Sequence, residues 1–232
     1  PDMKPTAPIQ NIRWHRSQIA ATMMQTVASR ITELANATIA KKGSFHIVLA
    51  GGETPREIYR QLRTAKTDWQ HWHVYFGDER CQPKGFPERN DTMAFDSLLA
   101  HVPIPREQIH RIQAELPQKQ CVEKYTETLA NVGHFDLVLL GLGEDGHTAS
   151  LFPGHNWGKD ANAPAVLALE RAPIAPPQRI SLSARRLSEA EHVWFIVCGS
   201  NKQKVLLRWQ NGEFLPVCAI NPPGGLDVFV AP

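Results

Sequence analysis

The chain has 232 residues, 42% of them hydrophobic, which is enough for one sizeable core. Its 25 Lys and Arg residues oppose 23 Asp and Glu residues, giving a formal charge of +2 without any basic run, which argues against a nucleic-acid partner. No apolar stretch approaches the roughly 18 residues of a spanning helix, and the first residues, PDMKPTAP, lack a signal-peptide pattern. We therefore expect a single α/β domain over residues 1–232 with no membrane segment.

The four cysteines lie far apart, at positions 81, 121, 198 and 218, and no C-x-x-C pair occurs. Zinc and redox motifs need closely spaced cysteines, so neither a metal nor a redox cofactor is predicted. Isolated cysteines without a secretion signal are typical of reduced thiols, which predicts a cytoplasmic location.

Apolar periodicity predicts that helices and strands alternate along most of the chain. Residues 16–40 have apolar side chains at helical spacing and predict a long amphipathic helix. Alternating elements of this kind favour a parallel or mostly parallel sheet with helices on both faces. The predicted strands are 45–50, 73–76, 135–140, 166–169, 179–182, 193–197 and 226–230, and further helices are predicted at 90–99, 118–130 and 202–209.

A glycine turn follows the strand at 45–50. In this turn Gly51 and Gly52 precede Thr54, a good helix N-cap, and Pro55 suits the first helical position. Glu57 would complete a Thr-x-x-Glu capping box. Free backbone N–H groups at a helix start can bind an anion, but an ordinary strand-to-helix turn explains the pattern equally well.

Charged residues follow the strand at 73–76, in the order Asp78, Glu79, Arg80. A solvated loop would explain them, and so would a binding site. In the second case Arg80 would pair with a substrate anion or with a developing oxyanion.

The most informative stretch is 135–154, FDLVLLGLGEDGHTASLFPG. Its apolar run predicts a buried strand, and ligands of parallel sheets bind beyond the carboxyl ends of strands, where Asp145 and His147 lie. The glycines also spell G-x-G-x-x-G, but the Pro153-Gly154 pair would stop the helix that a dinucleotide site requires. A dinucleotide is therefore the least favoured ligand.

The same stretch resembles the signature of the 6-phosphogluconolactonases, within a wider family that includes glucosamine-6-phosphate isomerase/deaminases. Both branches share G-x-G-x-D-G-H, but the lactonases continue HTASLFPG, as here. The deaminases carry a further carboxylate where Leu151 and Phe152 stand. The glycine turn resembles the family's Ser-Gly-Gly-x-Thr-Pro loop, with Ala50 in place of Ser, and Arg89 replaces a Ser that often precedes Asn90. A Trp that usually precedes Leu-Asp near the C-terminus is missing.

The resemblance implies a Rossmann-like sheet without a dinucleotide and hydrolysis of 6-phospho-D-glucono-1,5-lactone, a phosphosugar lactone, without metal or cofactor. It implies His147 as general base, with Asp145 either orienting it or binding a hydroxyl. It also implies Arg80 as a further catalytic residue, and Asp145, Glu79 or Arg80 would polarise the lactone carbonyl. Ser150 is a rival nucleophile, but no G-x-S-x-G elbow supports it. An isomerase/deaminase of amino-sugar phosphates and a non-catalytic sugar-phosphate sensor remain alternatives. The implied substrate-binding residues are Gly51, Gly52, Thr54, Asp78, Glu79, Gly143, Arg179 and Lys202.

Overall fold

A computed structural model describes residues 7–232, and its centre is a six-stranded sheet. The strands are β1 (Ile12–Arg16), β2 (Phe45–Leu49), β3 (Trp72–Phe76), β5 (Phe135–Leu140), β8 (Ala190–Cys198) and β9 (Leu226–Ala231). Their order across the sheet is β1-β9-β8-β5-β2-β3, and every neighbouring pair is parallel. The predicted mostly parallel α/β fold is confirmed.

A second, three-stranded antiparallel sheet lies apart from the first. It contains β4 (Asp78–Arg80), β6 (Val166–Leu169) and β7 (Arg179–Leu182), in the order β4-β7-β6. Two segments predicted as strands therefore exist, but they do not join the parallel sheet. The β4–β7 register places Arg80 beside Arg179.

In the described part of the chain, six α-helices connect and cover the strands. They are α1 (Ala20–Lys42), α2 (Glu53–Leu62), α3 (Asn90–Ala94), α4 (Gln118–Leu129), α5 (Ala184–Ser188) and α6 (Gln203–Gln210). The long helix predicted from residue 16 begins later, because Arg16 is still in β1 and pairs with Val230 of β9. Helix α1 packs against α2, β2 and β9.

Strand β5 is the core of the sheet, and all six of its residues are buried. Its one charged side chain, Asp136, accepts hydrogen bonds from the backbone N–H of His46 at 2.8 Å and from Lys42 Nζ at 3.0 Å. A buried carboxylate with two donors does not leave an unpaired charge in the core. The apolar run therefore forms the buried strand that it predicts.

The start of α2 differs from the prediction. The N-cap is Gly52, whose φ of 107° is accessible mainly to glycine, and no side chain caps the helix. Helix α2 consequently begins at Glu53, Thr54 lies inside its first turn, and Glu57 pairs with Arg60. The Thr-x-x-Glu capping box was wrong because the turn closes two residues earlier.

Within residues 7–232, no helix combines the length and apolarity needed to cross a membrane. The same residues contain no cluster of three or more His, Cys, Asp or Glu side chains suited to a metal ion, and all four cysteines are free. Most of the N-terminal stretch used in the signal-peptide prediction, residues 1–6, lies outside the described residues.

The order in which the chain adds strands to the sheet reverses between β2 and β5. The chain passes from β2 outward to β3, and then returns to the other side of β2 to place β5, β8 and β9 in turn. Loops that leave two such strands diverge, so a crevice opens at their carboxyl ends. Gly51 follows β2 and Gly141 follows β5 at this point.

Candidate active site

A cleft of about 380 Å³ occupies this crevice, and it brings together motifs that are far apart in the sequence. Its walls come from the glycine turn after β2, from the loop after β5, from β4 and from the start of α6. The predicted site residues that line it are Gly51, Gly52, Thr54, Asp78, Arg80, Gly143, His147, Arg179 and Lys202. Asp145 and Glu79 do not line it.

A carboxylate holds the imidazole of His147 in place. The distance between His147 Nδ1 and Asp145 Oδ1 is 2.6 Å, and the same oxygen accepts the His147 backbone N–H at 3.0 Å. Burial alone would raise the pKa of Asp145, but these hydrogen bonds outweigh it and hold the pKa below its usual value. An ionised Asp145 accepts the Nδ1 proton, which leaves the lone pair of the imidazole on Nε2.

Gly143 gives the ring its space. A Cβ atom at this position would lie 2.0 Å from His147 Nδ1 and 2.9 Å from Asp145 Oδ1. The backbone fixes the same turn, because the Gly143 N–H donates to the His147 carbonyl at 2.8 Å. Only a residue without a side chain allows the imidazole to lie against the loop.

The other face of His147 packs on Phe152, with 4.6 Å between the ring centroids. The guanidinium of Arg179 lies 5.4 Å from the centroid of the same phenyl ring. Phe152 is fully buried, so its position is well constrained. It therefore supports the imidazole and also contacts a cation that lines the cleft.

The segment after Gly146 is not helical. It runs through turns, and Thr148 and Leu151 form an isolated bridge. Ser150 is buried and donates from Oγ to Asp78 Oδ2 at 2.6 Å. A dinucleotide site would need a helix here, so the G-x-G-x-x-G spacing has no Rossmann turn around it.

Asp78 is a buried carboxylate in the cleft wall. Besides Ser150, its donors include the amide nitrogen of Asn90, at 3.1 Å from Oδ1. Asn90 also packs on the glycine turn, since a Cβ atom at Gly51 would lie 2.1 Å from Asn90 Oδ1. Asn90 thus connects two walls of the cleft, a contact that local sequence pattern did not predict.

Three cations line the cleft, and each donates to backbone carbonyls. Lys202 Nζ lies 2.7 Å from the Leu142 carbonyl, and Arg80 donates to the Glu88 carbonyl at 2.6 Å. Arg179 donates to a short run of carbonyls at 174–176. A hydrogen bond to a neutral carbonyl does not neutralise a cation, so these three side chains suit an anionic ligand.

The comparisons with known proteins agree with this geometry. The family described as glucosamine-6-phosphate isomerases/6-phosphogluconolactonase matches residues 18–229. The chain belongs to this family. It is 36% identical over 180 residues to the 6-phosphogluconolactonase of Haemophilus influenzae, covering 74% of this chain and 76% of that protein. It is also 37% identical over 196 residues, 80% of this chain, to the rabbit (Oryctolagus cuniculus) GDH/6PGL endoplasmic bifunctional protein, but spans only 24% of that protein's length.

A solved structure shares the family fold. The 6-phosphogluconolactonase from Thermotoga maritima superposes with a TM-score of 0.88 at 25% identity, covering 96% of this chain and 100% of that chain. The predicted membership of this family and its Rossmann-like, mostly parallel α/β fold are therefore confirmed.

Glu79 was predicted to bind substrate, but its side chain is buried outside the cleft. Its carboxylate is fully buried and accepts the backbone N–H groups of Arg80, Asn90 and Asp91 at 2.7 to 2.9 Å. Burial, with the nearby charge of Asp91, raises the pKa of Glu79 to about 8, and the three amide donors oppose that rise. The Glu79 side chain therefore holds the loop and does not line the cleft, and its assignment to substrate binding stays a prediction.

The prediction missed Thr148, which lines the cleft beside His147. Its hydroxyl is buried and has no hydrogen-bond partner among residues 7–232. Its only sequence signal is its place immediately after the motif histidine. A buried hydroxyl of this kind is costly unless another group, such as a ligand or water, satisfies it.

Proposed function

We propose that the chain hydrolyses 6-phospho-D-glucono-1,5-lactone to 6-phosphogluconate, a step of the oxidative pentose phosphate pathway. The Asp145–His147 pair, seated against Gly143 in the cleft, carries this proposal. Its 2.6 Å hydrogen bond leaves Nε2 as the basic nitrogen of a residue that lines the cleft. The identity to lactonases over most of the chain supports the same reaction.

The proposed reaction is a direct attack by water. His147 Nε2 accepts a proton as the water oxygen bonds to the lactone carbon, and the carbonyl becomes a tetrahedral oxyanion. When the oxyanion collapses, the bond to the ring oxygen breaks, and His147 returns the proton to that leaving oxygen. Asp145 stabilises the imidazolium between the two proton transfers, as an orienting carboxylate does in hydrolytic triads.

We propose that the cations and the glycine turn bind the anionic parts of the substrate. Arg179 and Lys202, with the backbone of Gly51 and Gly52, suit a phosphate dianion. A planar guanidinium, an ammonium point charge and backbone N–H groups complement the phosphate oxygens. Arg80 is the proposed electrophile for the oxyanion. Its Nε is buried without a partner among residues 7–232, so a donor is available there.

The remaining proposed contacts are to sugar hydroxyls and to the turn. Asp78 accepts from Ser150 and Asn90 and lies in the cleft wall, so a second lone pair is available to a hydroxyl. Thr54 is in the first turn of α2 and lines the cleft. Gly143 contributes by giving His147 its space. No metal or cofactor is required for these steps.

The deciding experiment is a short coupled assay in which glucose 6-phosphate and its dehydrogenase generate fresh lactone. The rate is compared with spontaneous hydrolysis, because this lactone also opens without an enzyme. We expect the wild-type chain to accelerate hydrolysis and His147→Ala to remove most of the acceleration while leaving the fold intact. Near-normal kcat in His147→Ala would show that His147 is not the base.

Two further measurements separate the alternatives. Ammonia release from glucosamine 6-phosphate would indicate an isomerase/deaminase. A rise in melting temperature with sugar phosphate, but without turnover of either substrate, would indicate a sensor. We further propose that residues 1–232 act as one catalytic domain and, from the free cysteines, that the protein is cytoplasmic.

A further inference from the structure

A buried arginine lies beneath the cleft and does not line it. Arg89 is 1% exposed, and its guanidinium grips Asp91 with two hydrogen bonds, Nε to Oδ1 at 3.0 Å and a second to Oδ2 at 2.6 Å. It also donates to Glu115 Oε2 at 2.8 Å and to the carbonyls of Gln82 and Ile112. Arg111 adds a donor to Asp91 at 3.1 Å.

These charged side chains form a buried ion cluster that joins three chain segments. Its members are Arg89, Asp91, Arg111 and Glu115. It ties the loop after β4 to the start of α3 and to the segment at 111–115. Burying charges costs free energy, and apolar residues of similar volume often stabilise a protein as well or better. Stability alone is therefore a weak explanation for such a cluster. A planar guanidinium with several donors is well suited to hold neighbouring groups in a fixed geometry.

The cluster reaches the cleft through one residue. Asn90 lies between Arg89 and Asp91, its backbone N–H donates to Glu79, and its side chain donates to the carbonyl and carboxylate of Asp78. Its Oδ1 occupies the space beside Gly51 that a side chain would fill. A shift of Asn90 would consequently move two walls of the cleft.

We propose that Arg89 is a positioning residue for the sugar-phosphate site: its five hydrogen bonds fix Asn90, and Asn90 fixes the glycine turn and Asp78. The inference rests on the proposed function, because it assumes a phosphosugar in the cleft. Arg89 touches no substrate, and its effect is on how well the preformed walls fit the ligand. A displaced wall weakens binding more than it alters the proton transfers at His147.

The test measures binding of 6-phosphogluconate, the proposed product, by calorimetry, together with KM and kcat for the lactone. In Arg89→Lys the charge remains but the fork is lost. We expect its Kd and KM to rise on the order of tenfold, with kcat changing much less, because small misplacements at a site are costly. Arg111→Gln weakens only the outer edge of the cluster and should give a smaller rise in the same direction.

Arg186→Lys is the matched control. Arg186 is also a buried arginine, it donates to the carbonyls of Val132, Gly133 and Glu189, and it does not line the cleft. Its variant should lower the melting temperature while leaving Kd for 6-phosphogluconate unchanged. This separates a purely structural loss from a positional one.

Wild-type affinity in Arg89→Lys, whatever its melting temperature, would overturn the inference alone. A wild-type chain that fails to bind 6-phosphogluconate would overturn the proposed function and the inference with it. If Arg89→Lys does not fold, Arg111→Gln decides, and an unchanged Kd in that variant would count against the positioning role.

Discussion

Replacing Gly143 with Ala tests the geometry of the proposed active site directly. The added Cβ would lie 2.0 Å from His147 Nδ1 and 2.1 Å from Cε1, whereas ordinary contacts are 3.4 to 4 Å. The ring must therefore move by more than about 1 Å, a displacement that can reduce turnover by roughly 100-fold. That loss corresponds to about 2.7 kcal/mol of transition-state stabilisation.

The coupled lactone assay would measure this change. The backbone at Gly143 is not left-handed, so alanine adds no conformational strain there, and the folded structure should persist in circular dichroism. Gly133→Ala is the control, because a Cβ at Gly133 meets nothing within 4 Å and the residue lies outside the cleft. Wild-type kcat in Gly143→Ala would refute the idea that His147 must occupy its observed position.

Two further predictions concern titratable groups. Asp145→Asn should lower kcat on the order of 100-fold in the coupled assay, because the imidazolium loses its carboxylate; unchanged kcat with a raised KM would instead assign Asp145 to a sugar hydroxyl. Burial, reinforced by neighbouring His73, lowers the pKa of His46 from 6.5 to about 4. The imidazole of His46 therefore binds a proton more readily in the unfolded chain than in the folded one. In urea titrations the free energy of unfolding should fall as the pH drops from 6.5 toward 4, and His46→Gln should flatten that fall. An equally steep fall in His46→Gln would contradict this prediction.

The sequence predicted structure best where a short run of neighbouring residues determines the burial of a strand or the position of a turn. The run of β5 is buried on both faces, and a buried parallel strand needs only continuous apolar residues to be predicted. Its glycines mark the turn, and the motif after them led to His147. The cleft therefore contains most of the residues expected, because the carboxyl ends of parallel strands converge at a switch point.

Other features depend on partners that are distant in sequence. Strands β6 and β7 were predicted as strands, but nothing in their own residues specifies that they pair with each other, and β7 with β4, in a separate antiparallel sheet. Strand β1 was missed because its sequence, IRWHR, places charged residues on an edge strand. Glu79 was assigned to substrate binding from the family resemblance, whereas its carboxylate accepts two backbone N–H groups from residues 11 and 12 positions later, which a local pattern does not reveal.

Phe152 bears on the choice between the two reactions found in this family. Its ring contacts the imidazole of His147, with 4.6 Å between the ring centroids, and the guanidinium of Arg179, whose central carbon lies 5.4 Å from the phenyl centroid. An ionised acid here would pair with Arg179 or compete for His147, and it would supply a second proton carrier. A phenyl ring supplies none, so in the proposed mechanism His147 performs both proton steps. Lactone opening needs only that, since the same proton taken from water can be delivered to the ring oxygen. Phe152 thus favours hydrolysis over isomerisation in this cleft.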